Sequence, residues 1–293
     1  MLAVYASGIA SGESLIVAAL RRDQLERALA YLISLAATLL TVFPILWLLT
    51  VSLKSQRDAF AVPPKLVFEP IADHFLGLLD KPGFVEAFRN SVIVTALGVA
   101  IAIVIAIFAA YSIHRFRFRG KQLFGVWLLL AYMLPEFLFI IPLFVLYQRI
   151  GWYDSHIGLA FAYQAHSLPF AVWLIRSFFR EVPLELDDAS RIDGCHHLGT
   201  LRHVYIPMAA PGIAATAILT AIWIWNELTI ALSLTFSEAQ TITVAVASFR
   251  GYTSINWGGM AAASVVAVLP MLLFAVVAQK YIVKGLTLGS LKG

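Results

Sequence analysis

Charge is scarce in this chain. Asp, Glu, Lys and Arg make up 13% of its 293 residues, against about 25% in a soluble globular domain. That leaves too little polar surface to face water on every side. Cysteine is nearly absent: the single Cys195 excludes an internal disulfide, and no Cys/His spacing resembles a zinc site. An intramembrane hydrolase would need a nucleophile with its base, or metal ligands such as H-E-x-x-H. Neither occurs, and His196-His197 has no carboxylate at metalloprotease spacing. A nucleotide-binding P-loop is missing, so any ATP hydrolysis must come from another chain. No inverted repeat of the secondary-transporter kind is visible. No catalytic, cofactor or metal site is therefore expected, and no nucleic-acid partner.

What the chain has instead is apolar length. Hydrophobic residues make up 60% and mean hydropathy is +0.84. Apolar runs of about 20 residues span the bilayer hydrocarbon as helices, and continuous rather than alternating apolarity argues against a barrel. Six spans can be read, at 31–53, 89–113, 122–147, 157–178, 211–234 and 260–283, giving an all-α integral membrane protein in contact with lipid. Pro44, Pro135, Pro142, Pro169 and Pro270 fall inside spans, where they are expected to kink helices and free carbonyls. Of the 21 Lys and Arg residues, fourteen lie on one side and seven on the other, which puts both termini in the cytoplasm.

The organisation expected is a cytoplasmic leader at 1–30, the first span with its extracytoplasmic loop at 31–88, a five-helix core at 89–283 and a cytoplasmic tail at 284–293. The leader lacks positive charge ahead of its apolar part, since Arg21 and Arg22 follow it. It reads as a loosely ordered segment or a start placed too far upstream, rather than a cleaved signal or a seventh span. The run HRFRFRGK at 114–121 reads as a topology anchor, and the loop near 54–88 as a small cap without chemistry.

One cytoplasmic stretch, about 181–210, stands apart by its charge. Pro183 suits a first helical turn. From there Leu186, Ala189, Ile192 and Cys195 recur at threes as an apolar stripe, with Glu181, Glu185 and Asp188 on a neighbouring face. Asp193-Gly194 is a helix-stop pair, and LGTLRHVYI resumes as a second short helix until Pro207 stops it. A bent helical pair of this size needs a partner to pack against.

The spacing Asp188-Ala189-Ser190, three residues, Gly194, nine residues, Val204, one residue, Ile206-Pro207 resembles the EAA loop of permease subunits in binding-protein-dependent ABC importers. NSVIVTALGV at 90–99, AAYSIHRFRFRGK at 109–121, LPFAVWLIRSFF at 168–179, WNELTIAL at 225–232 and KGLTLGSLKG at 284–293 resemble the carbohydrate-importer branch, in particular the six-span maltose-transporter-type subunit. The resemblance covers roughly residues 30 to 293. It implies the type I ABC importer transmembrane fold, a bacterial or archaeal cytoplasmic membrane location, and a coupling helix. Glu185, Asp188, Ala189, Ser190, Asp193, Gly194 and Pro207 would then meet a cytoplasmic ATPase dimer, which binds the ATP. It also implies a second homologous permease subunit and an extracytoplasmic solute-binding protein that delivers a sugar or related polyol. A permease of the same superfamily for a phosphate ester or amino acid is the alternative.

Polar residues inside spans need an explanation, because bare charge there is costly. Counted from the outer span ends, Glu136, His166 and Asn226 all lie about 12–17 Å deep, near the midplane. Gln164 and Glu227 flank that level, and Trp223 and Trp225 offer stacking faces for a sugar ring, so these positions suggest a translocation path. Each also fits a structural role: Glu136 bonded to carbonyls freed by proline, His166 packed in the core, Asn226-Glu227 joining helices. The orientation is open to cysteine labelling. An impermeant thiol reagent added to intact cells should miss Cys195 and reach Ser155→Cys or Ser237→Cys; labelling of Cys195 from outside would sink it.

Overall fold

The computed structural model describes the backbone of residues 2–250 and 256–290. Side-chain surroundings are described for residue 24 and for 26–279, apart from 251–255 and 278. Regular structure among these residues is helical. The order is α1 (Leu2–Ser52), α2 (Gln56–Ala59), α3 (Asp73–Asp80), α4 (Phe84–Arg115), α5 (Lys121–Met133), α6 (Phe137–Ile150), α7 (His156–Ala162) and α8 (Gln164–Phe179). It continues with α9 (Leu184–Ile192), α10 (His197–Thr200), a π-helical turn (Leu201–Tyr205), α11 (Ile206–Met208), α12 (Ala210–Asn226), α13 (Thr229–Leu234), α14 (Ile242–Ala247) and α15 (Trp257–Ser290).

Three helices among the described residues are long and apolar enough to cross a membrane: Glu26–Ser52 within α1, α4, and Trp257–Val277 within α15. The number rises to five if each bent helix pair is one span. The expected continuous span at 122–147 is one of these pairs. α5 and α6 meet at 90°, because Pro135 drives Leu134 into the extended region, with φ −66° and ψ 129°. The span expected at 211–234 is also broken, at Glu227-Leu228, and the one at 157–178 is divided between α7 and α8 at Tyr163. Pro44, Pro142, Pro169 and Pro270 all sit inside helices; of the five prolines only Pro135 ends one.

The first helix runs back to Leu2, through the residues expected as a leader. No proline precedes Pro44 to stop it. The final helix likewise continues to Ser290 through most of the expected tail, and residues 291–293 lie outside the described residues.

Packing centres on α4. Its Ala102, Ala106 and Ala110, all fully buried, form a small-residue stripe at helical spacing that meets Ala171, Val172 and Ile175 of α8. Small residues let backbones approach closely, which drives helix association in lipid, where apolar burial alone supplies little. α12 packs against both α4 and α8, and Gly212 lies so close to the Phe178 ring that a Cβ there would collide with it. α1 sits at the periphery against α15. At its end Lys54 is 3% exposed, with Nζ 5.0 Å from the ring centres of both Trp47 and Phe68. That pair of cation–π contacts accounts for a buried lysine that has no carboxylate partner among the described residues.

On the side expected to be extracytoplasmic, one carboxylate organises two loops. Asp154 Oδ1 accepts N–H bonds from Phe236 (2.9 Å) and Ala239 (3.0 Å), and Oδ2 from Ser237 (2.9 Å) and Glu238 (3.0 Å). Asn90 holds the same loop through bonds to the Glu238 and Gln240 carbonyls (2.9 and 3.2 Å), and its Oδ1 meets His156 Nε2 at 2.8 Å. Burial alone would raise the Asp154 carboxyl, but the four backbone donors outweigh it and hold the group at about 2. A depressed folded value means the anchoring is complete above the ordinary carboxylate range and is lost as pH falls through about 2. Asp154→Asn should therefore loosen the loop at neutral pH, by about 1–3 kcal/mol on the scale of charge-assisted hydrogen bonds. Proteolysis within 235–241 should accelerate, and the acid dependence seen in the wild type between about pH 4 and 2 should disappear. Equal cleavage of both proteins at pH 7 would refute this anchoring role.

Candidate functional site

Two helix breaks border one open cavity of mixed polar and apolar lining. The first is Pro135-Glu136 between α5 and α6, the second Glu227-Leu228 between α12 and α13. Two adjoining hollows of about 480 and 310 Å³ share Glu136 and Thr229. One is lined by Trp223, Asn226 and Glu227, the other by Tyr132 and His166. His166 Nδ1 lies 3.8 Å from Glu136 Oε1, and its ring stacks on Trp223 with centres 4.3 Å apart and planes 13° off parallel. Asn226 spends its amide on the Ile222 carbonyl (2.8 Å).

Of the path residues expected from the sequence, Glu136, His166, Asn226 and Glu227 line this cavity. Glu227 does so with its carboxylate already engaged: Oε1 accepts from Ile230 N (2.7 Å) and Oε2 from Ala231 N (3.0 Å). These are the orphan donors of the α13 N-terminus, which lipid would leave unsatisfied. Gln164 is placed elsewhere. It is buried and donates to the carbonyls of Gly98 (3.1 Å) and Ala160 (2.8 Å), tying α8 to α4. Trp225 is also turned away, 4% exposed. Its indole donates to the Ala267 carbonyl (3.0 Å) and its ring meets Phe88 edge-on. The aromatic face at the cavity is Trp223. Two residues along a helix is roughly 200° of rotation, so only one of the pair can face inward.

The second candidate surface is the α9–α11 segment. α9 ends in a Schellman arrangement: Cys195 N–H bonds Ser190 O (2.9 Å), Gly194 N–H bonds Arg191 O (3.1 Å), and Gly194 takes φ +88°. A Cβ at Gly194 would meet no atom within 4 Å, so the demand for glycine there is purely conformational. Ser190 faces inward, its hydroxyl 2.8 Å from that of Thr200, and thereby joins α9 to α10. Glu185, Asp188, Ala189, Asp193 and Gly194 are exposed. Of the apolar stripe, Leu186, Ala189 and Ile192 are exposed and Cys195 is half-buried, and Leu184 is exposed beside them, an uncovered apolar ridge of the kind that marks an interaction surface.

Pro207 does not stop the second helix as expected. The chain stays helical through Met208 and breaks at Ala209, with a 77° bend into α12. The widened π turn at Leu201–Tyr205, where Ile206 N–H reaches back to Leu201 O, precedes the proline and relieves the clash its ring would make with the carbonyl four residues earlier.

The residue that fastens this segment to the membrane core was not anticipated. Asp187 is fully buried and pairs with Arg115, Nε to Oδ2 2.5 Å, while the exposed neighbour Asp188 lies 3.6 Å from the same guanidinium. Around the pair, Tyr205 packs edge-on against Tyr111 (5.1 Å) and Phe179 (5.3 Å), in one cluster that joins α4, α8 and the segment. The signal lay in the sequence as an arginine of HRFRFRGK and an Asp-Asp doublet, yet nothing in their spacing links positions 72 residues apart.

The comparisons follow these features. Residues 102–288 match the family described as binding-protein-dependent transport system inner membrane component. The trehalose/maltose transport system permease protein MalG of Thermococcus litoralis is 32% identical over 278 residues, covering 94% of this chain and 100% of that protein. The trehalose transport system permease protein SugB of Mycobacterium tuberculosis is 36% identical over 258 residues, covering 86% and 93%. A crystal structure of a bacterial ABC transporter involved in the import of the acidic polysaccharide alginate shares the fold, with TM-score 0.73 at 22% identity over 89% of this chain and 98% of that one. A match over well more than half its length, with relatives aligned nearly end to end, shows that this chain belongs to the family of binding-protein-dependent transport system inner membrane components.

Proposed function

We propose that this chain forms half of the translocation path of an ABC importer for a sugar or related polyol. A second permease subunit completes the path, an extracytoplasmic binding protein delivers the solute, and a separate cytoplasmic ATPase dimer drives transport. The observation that carries the reading is the cavity at the two helix breaks, where a carboxyl, an amide, an imidazole and an indole face converge. Hydroxyl-rich solutes are held by such a set: hydrogen-bonding groups for the hydroxyls and an aromatic face for the ring. The names of the relatives, which concern trehalose and maltose, point the same way. Both chain ends lie in the cytoplasm in this reading, and the exposed α9 ridge seats in the ATPase. The decisive experiment is to titrate the binding protein encoded beside this chain with sugars, polyols, amino acids and phosphate esters. Selective binding of an amino acid or phosphate ester would overturn the solute class.

Two further outcomes are expected. Glu136→Leu and His166→Leu remove single hydrogen-bonding groups worth about 0.5–1.5 kcal/mol each. Solute uptake by proteoliposomes should then reach half-saturation at roughly 2–12 times the wild-type solute concentration, with the amount of assembled complex unchanged. Unaltered uptake kinetics in both would remove the cavity from the path. Gly194→Val places a branched side chain at φ +88°, at a cost of roughly 1–2 kcal/mol. Ala189→Trp and Asp188→Arg alter the exposed face directly. All three should leave the chain inserted and the binding protein able to bind solute, yet weaken co-purification of the ATPase and uncouple hydrolysis from uptake. Normal retention and coupling in all three would make α9 a mere connector.

A further inference from the structure

The seam between α5 and α8 carries two features outside the transport path, with Tyr132 alone lining both the path cavity and the second of them. At its end nearest the α9 segment lies a hollow of about 360 Å³ lined by His114, Lys121, Arg176 and Arg180, with Val182 and Leu184. Three cations meet there, and among the described residues none of Lys121, Arg176 and Arg180 is in an ion pair with a carboxylate. Two polar atoms of the same residues, Arg176 Nε and His114 Nε2, are buried with no hydrogen-bond partner. The Arg176 guanidinium lies along α5 at Gly125, where an added Cβ would stand 3.6 Å from Nη1. Lys121 is already bonded to the last carbonyls of α4, His114 O (3.3 Å) and Phe116 O (3.2 Å), so its charge stays fixed at the rim.

Farther along the same two helices, toward the membrane interior, is an apolar groove of about 220 Å³ lined by Leu128, Leu129, Tyr132, Pro169, Phe170 and Trp173. Arg176 follows the groove residues of α8 by three to seven positions, roughly 5–10 Å along the axis. A ligand that filled both would carry an anionic head, sized for a phosphate, and an apolar tail running along the helices.

We propose that this seam binds one anionic phospholipid. Its phosphate sits among Arg176, Arg180 and Lys121, and an acyl chain lies in the groove between α5 and α8. The leaflet is the cytoplasmic one, which rests on the orientation in the proposed function; the binding itself does not. Unpaired cations at a membrane surface attract anionic headgroups at about 1 kcal/mol each, and basic pockets between membrane helices are where such headgroups lodge. A zwitterionic lipid offers the same tail without the net charge, so selectivity separates headgroup recognition from simple greasiness.

The test is native mass spectrometry of the permease, purified with its partner subunits in detergent mixed with phosphatidylglycerol or phosphatidylcholine. It is run without ATP or solute, so the result stands apart from the transport reading. Wild-type protein should retain phosphatidylglycerol in preference to phosphatidylcholine. Arg176→Gln with Arg180→Gln should weaken phosphatidylglycerol retention about 30-fold, and Arg180→Gln alone about fivefold, at about 1 kcal/mol per cation. Arg180 is exposed, so the single variant tests the site even where the double variant fails to assemble. Leu129→Trp, which fills the groove, should weaken phosphatidylglycerol without affecting competition by inorganic phosphate. Retention of phosphatidylglycerol at the wild-type level in Arg180→Gln, or equal retention of phosphatidylcholine, would overturn the proposal. Full displacement by inorganic phosphate with Leu129→Trp silent would identify a free-phosphate site instead, and would equally overturn it.

Discussion

A helix that breaks inside a bilayer exposes backbone donors and acceptors that lipid cannot satisfy, each at a cost of several kcal/mol. Much of this structure follows from where it breaks its helices and what it brings to the ends. At Leu134-Pro135 the chain turns through 90°, where Leu134 to Phe137 line the cavity and the Pro135 and Glu136 carbonyls accept from Leu138 and Phe139 N–H (3.1 and 3.3 Å). At Glu227 the remedy is internal: one carboxylate accepts from two N–H groups of the α13 start, and its own carbonyl accepts from the Thr243 hydroxyl at 2.8 Å. Because both breaks need polar company, they lie together, and the polar space between them is the same space that a hydroxylated solute would need. Structural necessity and the candidate path coincide there.

The second constraint is a buried charge. Asp187 sits fully enclosed beneath α9 and is compensated by Arg115 at the end of α4. Removing one member of such a pair strands the other, at about 3–5 kcal/mol, so the pair fixes α9 in place. Asp187 and Ser190 alone of this helix face inward, so Leu184, Leu186 and Ile192 stay exposed beside Glu185, Asp188 and Arg191. Apolar side chains left uncovered in this way mark an interaction surface.

Hydropathy was enough to read an all-helical membrane protein from the sequence, and Glu136, His166 and Asn226, singled out there as polar residues within spans, do line adjoining hollows. What was hidden depended on rotation rather than depth. Trp223 and Trp225 lie at nearly the same level on opposite faces of α12, and only packing against Ala267 and Phe88 decides that Trp225 turns inward to the core. Asp187 and Asp188 differ by one residue, about 100° of helix, and one is buried while the other is exposed. Breaks divided in the same way. Pro135 announces its own, whereas Glu227 breaks α12 without proline or glycine, and that becomes legible only once the carboxylate is seen on the α13 donors. Four other prolines sit quietly inside helices, so proline alone does not tell a break from a tolerated kink.

These arrangements bear on how motion at the α9 ridge could reach the cavity about 20–25 Å away, the length of α8 or α12 at 1.5 Å per residue. Both helices run from the cavity to the α9–α11 segment, at its π-helical turn and its Ala209 bend. α8 carries His166 near one end and Phe179, packed on Tyr205, at the other. α12 starts at the Ala209 bend and ends at Asn226 on the cavity wall. The two are pressed together where Gly212 meets Phe178. Flexible loops would dissipate a push from a partner, while a packed interior is bistable and not continuously deformable. In the proposed importer, a displacement of this segment would reach the cavity through these two packed helices. Their far ends hold the imidazole on one wall and the amide on the other, so even a small rotation of α8 against α12 changes the distance between His166 and Asn226. The seam between α5 and α8 lies on the outer flank of one of those rods, where a lodged phospholipid would set how easily α8 turns.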